Sequence, residues 1–156
     1  MADAYKIGQV LGPSEWVEVT QEMINEYAHA AHDEFWIHVN VEKAKQEFGG
    51  TIAHGLLVLS IAQPLAGHLV ALQGEVDLVY GYDKIRFLSV VHGGDRIRAS
   101  AEVVDVTPRG EGHVVRIRNT VEVEGKAKPA IIAEWLIIVF DKPDGLARQA
   151  NVGAAA

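Results

Sequence analysis

With 156 residues, 14 Lys and Arg against 21 Asp and Glu, the chain has the length of one domain and a formal charge of −7. That balance argues against nucleic acid as the main partner, since phosphate binding needs a basic face. There is no cysteine, so disulfides, thiol nucleophiles and thiolate metal sites are excluded together; 49% hydrophobic and 22% charged residues exclude a disordered or fibrous chain.

The start, Met1-Ala2-Asp3-Ala4-Tyr5-Lys6-Ile7-Gly8, lacks the basic and apolar regions of a signal peptide, so a cytoplasmic protein is expected. Residues 15–19 alternate apolar and polar as a short strand does. Thr20, followed by Glu22, Met23, Ile24 and Tyr27, predicts a capped helix running to about Ala31. Residues 33–40 then read as a loop, and residues 41–48, rich in Lys, Glu, Gln and Ala, as a short helix closed by Gly49-Gly50.

Residues 55–72 are apolar on nearly all sides, the pattern of a helix buried by its surroundings and the expected centre of the fold. In the apolar stretch of residues 53–72, His54, Ser60, Gln63, Pro64 and His68 are interruptions, which argues against a membrane span. Pro64 removes an amide donor and is expected to kink the helix near Ser60 or to start a second segment. From residue 75 the period becomes two. Residues 76–88, 96–107, 113–123 and 130–140 are strand-like runs separated by turn residues, which predicts an antiparallel meander with one face over the helix. Residues 1–141 form one expected domain, and residues 142–156 have lost the pattern and read as a loose tail.

The chemistry concentrates between residues 32 and 57. Asp33 and His38 lie five residues apart across Phe35-Trp36-Ile37, too apolar a run for an idle loop, and a carboxylate with an imidazole is the usual couple for proton transfer near neutral pH. Gly55 opens the apolar helix, where a backbone N–H without a neighbouring Cβ suits developing negative charge. By residue type alone, Asp33 could equally cap a neighbouring amide. His54 reads as holding the loop through a backbone hydrogen bond. Asp33 with His29, His32 and His38 matches no strong zinc signature, so no metal is expected, and a Ser60-His54-Asp33 triad lacks a nucleophile elbow. Arg86, Arg96 and Arg98 read first as a solvated strand face and second as phosphate ligands. Phe35 and Trp36 are candidates for pocket wall or dimer contact.

Asp33-x4-His38, then Gly-Gly-Thr-Ile-Ala-His-Gly-Leu-Leu at 49–57, then Tyr-Gly-Tyr-Asp-Lys-Ile-Arg-Phe-Leu at 80–88, resemble the MaoC-like dehydratases, in the branch called nodulation protein N-like or (R)-specific enoyl-CoA hydratase. The resemblance spans about residues 5–140. It implies a hot-dog fold, a long helix wrapped by an antiparallel sheet, as a homodimer that adds water to trans-2-enoyl thioesters. In this reading Asp33 and His38 hold the water, the Gly55 amide binds the thioester oxygen, and Gln63 faces the substrate where many hydratases carry serine. His32 stands where most relatives have glycine, which sets a titratable group beside the aspartate. No metal or redox cofactor is implied; coenzyme A or a carrier protein arrives with the substrate. Two rivals remain at this stage, a hot-dog thioesterase and a non-catalytic acyl or polyketide binding module.

Overall fold

The computed structural model describes residues 5–70 and 76–140. Its first part is built by caps. Two short strands, β1 (Val10–Leu11) and β2 (Val17–Glu18), lead to helix α1 (Gln21–Ala31), whose Met23 N–H donates to the Thr20 hydroxyl at 3.2 Å, as the sequence predicts. The helix ends at His32, which adopts a left-handed conformation with φ 55°. Residues 33–40 are not simply a loop. They contain one helical turn, α2 (Trp36–Val39), because Asn40 N–H finds Trp36 O at 2.9 Å while the Asn40 side chain accepts from Lys43 N–H at 3.0 Å and so opens α3 (Val41–Phe48). Gly49, at φ 81°, closes α3.

Helix α4 (Gly55–Val70) follows, then four strands, β3 (Val76–Phe87), β4 (Arg96–Arg109), β5 (Gly112–Val123) and β6 (Ile131–Phe140). The period of two puts Ile97, Ala99, Ala101 and Val103 of β4, with Val115, Ile117, Val121 and Val123 of β5, on one buried face. Leu57, Val58, Leu59, Ala62, Ala66 and Val70 of α4 join them in a single core. The helix thus lies across the sheet in the hot-dog arrangement that the resemblance implies.

Three expectations change in detail. The meander holds only for β4, β5 and β6, since β3 pairs with β6 and the sheet order is β1-β4-β5-β6-β3, with β2 also on β4. The segment between β3 and β4 crosses to the other side and bonds residues 51–53 on the way: Ala53 N–H meets Val91 O at 2.8 Å, and Ile52 bridges His92. The central helix is not buried all round either. Leu56, Ser60, Pro64 and His68 recur every four residues as an exposed stripe. Pro64 lies in that stripe, so the Ser60 carbonyl that loses its amide partner is at the surface, and α4 runs through as one helix. Residues 71–72 and the expected tail lie outside the described residues. Among the described residues no helix is long and apolar enough to cross a membrane.

Candidate active site

Three connections bring the site together at the N-terminal end of α4. The end of α1 presents Asp33, whose N–H donates to Ala28 O at 2.9 Å; the turn of α2 carries His38; and residues 51–54 run beside both. Ile52 N–H bonds Ile37 O at 3.0 Å, and Val58 N–H bonds His54 O at 3.1 Å to begin α4. Asp33 is exposed, whereas His38 and His54 are buried.

Hydrogen bonding decides which nitrogen of each ring carries a proton. His38 Nδ1 lies 2.5 Å from Ile52 O. A carbonyl only accepts, so Nδ1 is the N–H and the neutral ring offers its lone pair at Nε2. His54 is the mirror case: Nε2–H donates to Asp33 O at 2.9 Å, and Nδ1 is buried without a partner. This backbone bond is the loop-holding role expected of His54. What sequence reasoning missed is that the His54 ring also stacks on His38, with centroids 3.6 Å apart and planes at 23°. No spacing rule reports a contact between rings 16 positions apart on different elements.

Asp33, His38 and His54 each place one ligand-type atom within 4.8 Å of the others. The set is small enough for a cation: His54 Nε2 is committed to Asp33 O, while its buried Nδ1 finds no hydrogen-bond partner among the described residues. The two other histidines weighed as ligands stay outside: His29 pairs with Glu34 at 3.6 Å on the surface, and His32 is exposed.

His38 and Gly55 both line a cavity of about 450 Å³ whose other walls include Ile52, Leu56, Phe87 and Val91. A Cβ at Gly55 would lie 2.7 Å from the Phe87 ring, so glycine is what lets Phe87 close over the helix start. As the first residue of α4, Gly55 has an N–H with no acceptor inside the helix, at the positive end of the helix dipole. Gln63 is placed apart, about 12 Å further along the axis at 1.5 Å per residue. Its carbonyl accepts from the Tyr82 hydroxyl at 2.9 Å, and burial pushes the Tyr82 hydroxyl pKa up. Ser60 donates to Leu56 O within its own helix, and Arg96 and Arg98 pair with Glu124 and Glu122 on the outer sheet face. Trp36 packs on Phe48, while Phe35 is exposed.

Comparison with known proteins agrees with this construction. Residues 3–125 match the MaoC like domain. The chain is 41% identical over 133 residues to 3-hydroxyacyl-thioester dehydratase Z of Mycobacterium tuberculosis, covering 83% of this chain and 88% of that one. It is 40% identical over 150 residues to nodulation protein N of Rhizobium leguminosarum bv. viciae, covering 90% and 93%. Among solved structures, the R-hydratase PhaJ1 of Pseudomonas aeruginosa superposes with a TM-score of 0.72 at 21% identity, covering 88% of this chain and 83% of that one, a likeness of fold. A helix across an antiparallel sheet, His38 and Gly55 lining one cavity, and a family match over most of its length together establish that this chain belongs to the MaoC-like domain family.

Proposed function

We propose that this chain is a hydratase/dehydratase that interconverts a trans-2-enoyl thioester and the (R)-3-hydroxyacyl thioester. The observation that carries the reading is His38: its Nδ1–H is tied to Ile52 O, so its Nε2 lone pair is available beside the Asp33 carboxylate at a cavity that begins at Gly55. In the hydration direction a water sits between the two groups and attacks C3. His38 Nε2 takes one proton from that water as the C–O bond forms, and Asp33 accepts a hydrogen bond from the other and holds its direction. Negative charge moves to the thioester oxygen, where the Gly55 amide receives it; one such donor contributes about 3 to 4 kcal/mol to a transition state. The proton on His38 then goes to C2 on the same face, so the atoms of one water are added and the site returns to its starting state. The apolar wall takes the acyl chain. Coenzyme A or a carrier protein is part of the substrate and no further cofactor enters. For Gln63 a substrate contact rests on the resemblance alone, since Tyr82 already takes its carbonyl.

The working form is a homodimer. Among the described residues β3 has one strand partner, β6, and none of its twelve residues is buried; Leu78, Val79, Tyr80 and Phe87 are exposed. A long edge strand with apolar side chains is the place for a second copy, which would cover the exposed stripe of α4 as well. Light scattering that returned the 17.0 kDa of a single chain would count against it.

The test of function is the purified protein with crotonyl-CoA and longer trans-2-enoyl-CoA substrates. Loss of enoyl absorbance without thiol release, with a product of (R) configuration by chiral chromatography, is the expected result. Thiol release would make the protein a thioesterase, and stabilisation by ligand without turnover would make it a binding module.

A further inference from the structure

Every polar atom of the Gln21 side chain is committed, and the commitments converge on His38. Gln21 Nε2 donates to His38 O at 2.9 Å and to Asn25 Oδ1 at 2.9 Å, while Gln21 Oε1 accepts from the Thr51 hydroxyl at 2.5 Å. The amide cannot be reversed, because His38 O has no proton to give. Thr51 is buried and precedes Ile52, whose carbonyl takes the His38 Nδ1–H and whose own N–H bonds Ile37 O. One side chain at the start of α1 therefore holds the main chain of His38 directly and, through Thr51, stands one residue from the group that aligns its ring. Gly93 makes the room: a Cβ there would lie 2.7 Å from the Thr51 hydroxyl and 3.0 Å from Gln21 Oε1.

We propose that Gln21 is a positioning residue for His38, setting the direction in which Nε2 faces the cavity. The proposal rests on the reading of His38 as the group that takes the proton from water. Gln21 does not itself line the cavity; it acts on His38, which does, through the backbone of α2 and the 51–52 segment. A reacting lone pair turned away by about 1 Å can lower a rate ~100-fold while substrate binding on the apolar wall is untouched. The signature is therefore a fall in kcat at nearly constant KM.

The experiment compares wild type, Gln21→Met, Gln21→Glu, Asn25→Ala and His38→Ala in enoyl-CoA hydration, together with the imidazole region of ¹H–¹⁵N spectra. Gln21→Met keeps the length of the side chain and removes both donor and acceptor; kcat falls roughly 10- to 100-fold with KM little changed. Gln21→Glu still accepts from Thr51 but sets a carboxylate against His38 O, and loses at least as much. Asn25→Ala removes the one bond that leads away from His38 and keeps kcat near wild type. Equal losses in Asn25→Ala and Gln21→Met, a rise in KM at constant kcat, or no change in Gln21→Met would each overturn the proposal. If wild type shows no hydration at all, the functional reading has failed, and the His38 Nδ1–H resonance, identified by its absence in His38→Ala, still decides. Slow exchange in wild type and Asn25→Ala with fast exchange in Gln21→Met and Gln21→Glu supports positioning by Gln21; the same exchange rate throughout refutes it.

Discussion

The outer face of the sheet and the N-terminal end of α4 use the same kinds of residue in opposite ways. On the sheet, charge meets charge from strand to strand: Glu134 with Lys84, Arg116 and Arg118, Asp83 with Arg116 across β6, Glu102 with Arg118, and Glu122 with Arg98. At the site, Asp33 faces imidazoles, and the two rings are held by main-chain carbonyls, which align a ring without neutralising it. The first arrangement consumes ionic capacity in mutual pairing; in the second the Asp33 carboxylate is met only by His54 Nε2, at 3.8 Å, among the described residues, and the rings bond to main chain. A polar cluster is read for function by what its atoms are bonded to, more than by which residues compose it.

The largest expected effects break the site side of this contrast. Asp33→Asn keeps the volume and loses the carboxylate, and hydration falls ~10²- to 10⁴-fold with the melting temperature nearly unchanged. His38→Ala falls by a similar order. The double variant does no worse than the poorer single one, because both groups act on one water. Glu134→Gln, the matched change on the sheet face, leaves turnover alone. Near-normal hydration by folded Asp33→Asn would return Asp33 to the role of a helix-end cap.

Gly55→Ala comes next. Its Cβ meets two Phe87 ring carbons inside 3 Å, so the half-exposed ring must swing from the helix start, and turnover drops about 10-fold or more as the cavity mouth is remodelled. Adding Phe87→Ala in the same protein recovers part of that loss in steady-state kinetics; no recovery would place the damage at the Gly55 amide itself.

His32→Gly has a smaller effect of the opposite sign. A non-glycine residue at φ 55° pays a steric penalty of about 1 kcal/mol, so glycine there, as in most relatives that the resemblance implies, raises stability by up to that amount in denaturant unfolding. Smallest is the pH-dependent contribution of Glu134. The hydrogen bond from Lys84, with help from Arg116, holds its carboxyl below the ordinary value of 4.5, so folding favours the ionised form. Its contribution is present in full above the ordinary carboxylate range and is lost as pH falls through the lowered folded value. Wild type and Glu134→Gln should therefore differ in melting temperature at neutral pH and converge in acid.

Much of this molecule is legible in local sequence. Thr20, Asn40 and Gly49 mark helix ends because capping acts within three or four residues, and the alternation in β4 and β5 declares their buried face because side chains in a strand change sides at every step. The Asp33-x4-His38 spacing and the glycine opening α4 are likewise local, and the fold sets His38 and Gly55 at one cavity. Other features needed the fold. β3 joins β6, and the crossover that follows bonds residues 51–53, a choice among non-local partners that the pattern of β3 alone leaves open. One turn of helix forms at α2 where a loop reads from the residues. The tautomer of His38, the stack of His54 upon it and the reach of Gln21 to its carbonyl join residues 14, 16 and 17 positions apart. Local chemistry determined which residues could act; tertiary structure decided which of their atoms are held and which are left available, because that depends on contacts no neighbouring residue encodes.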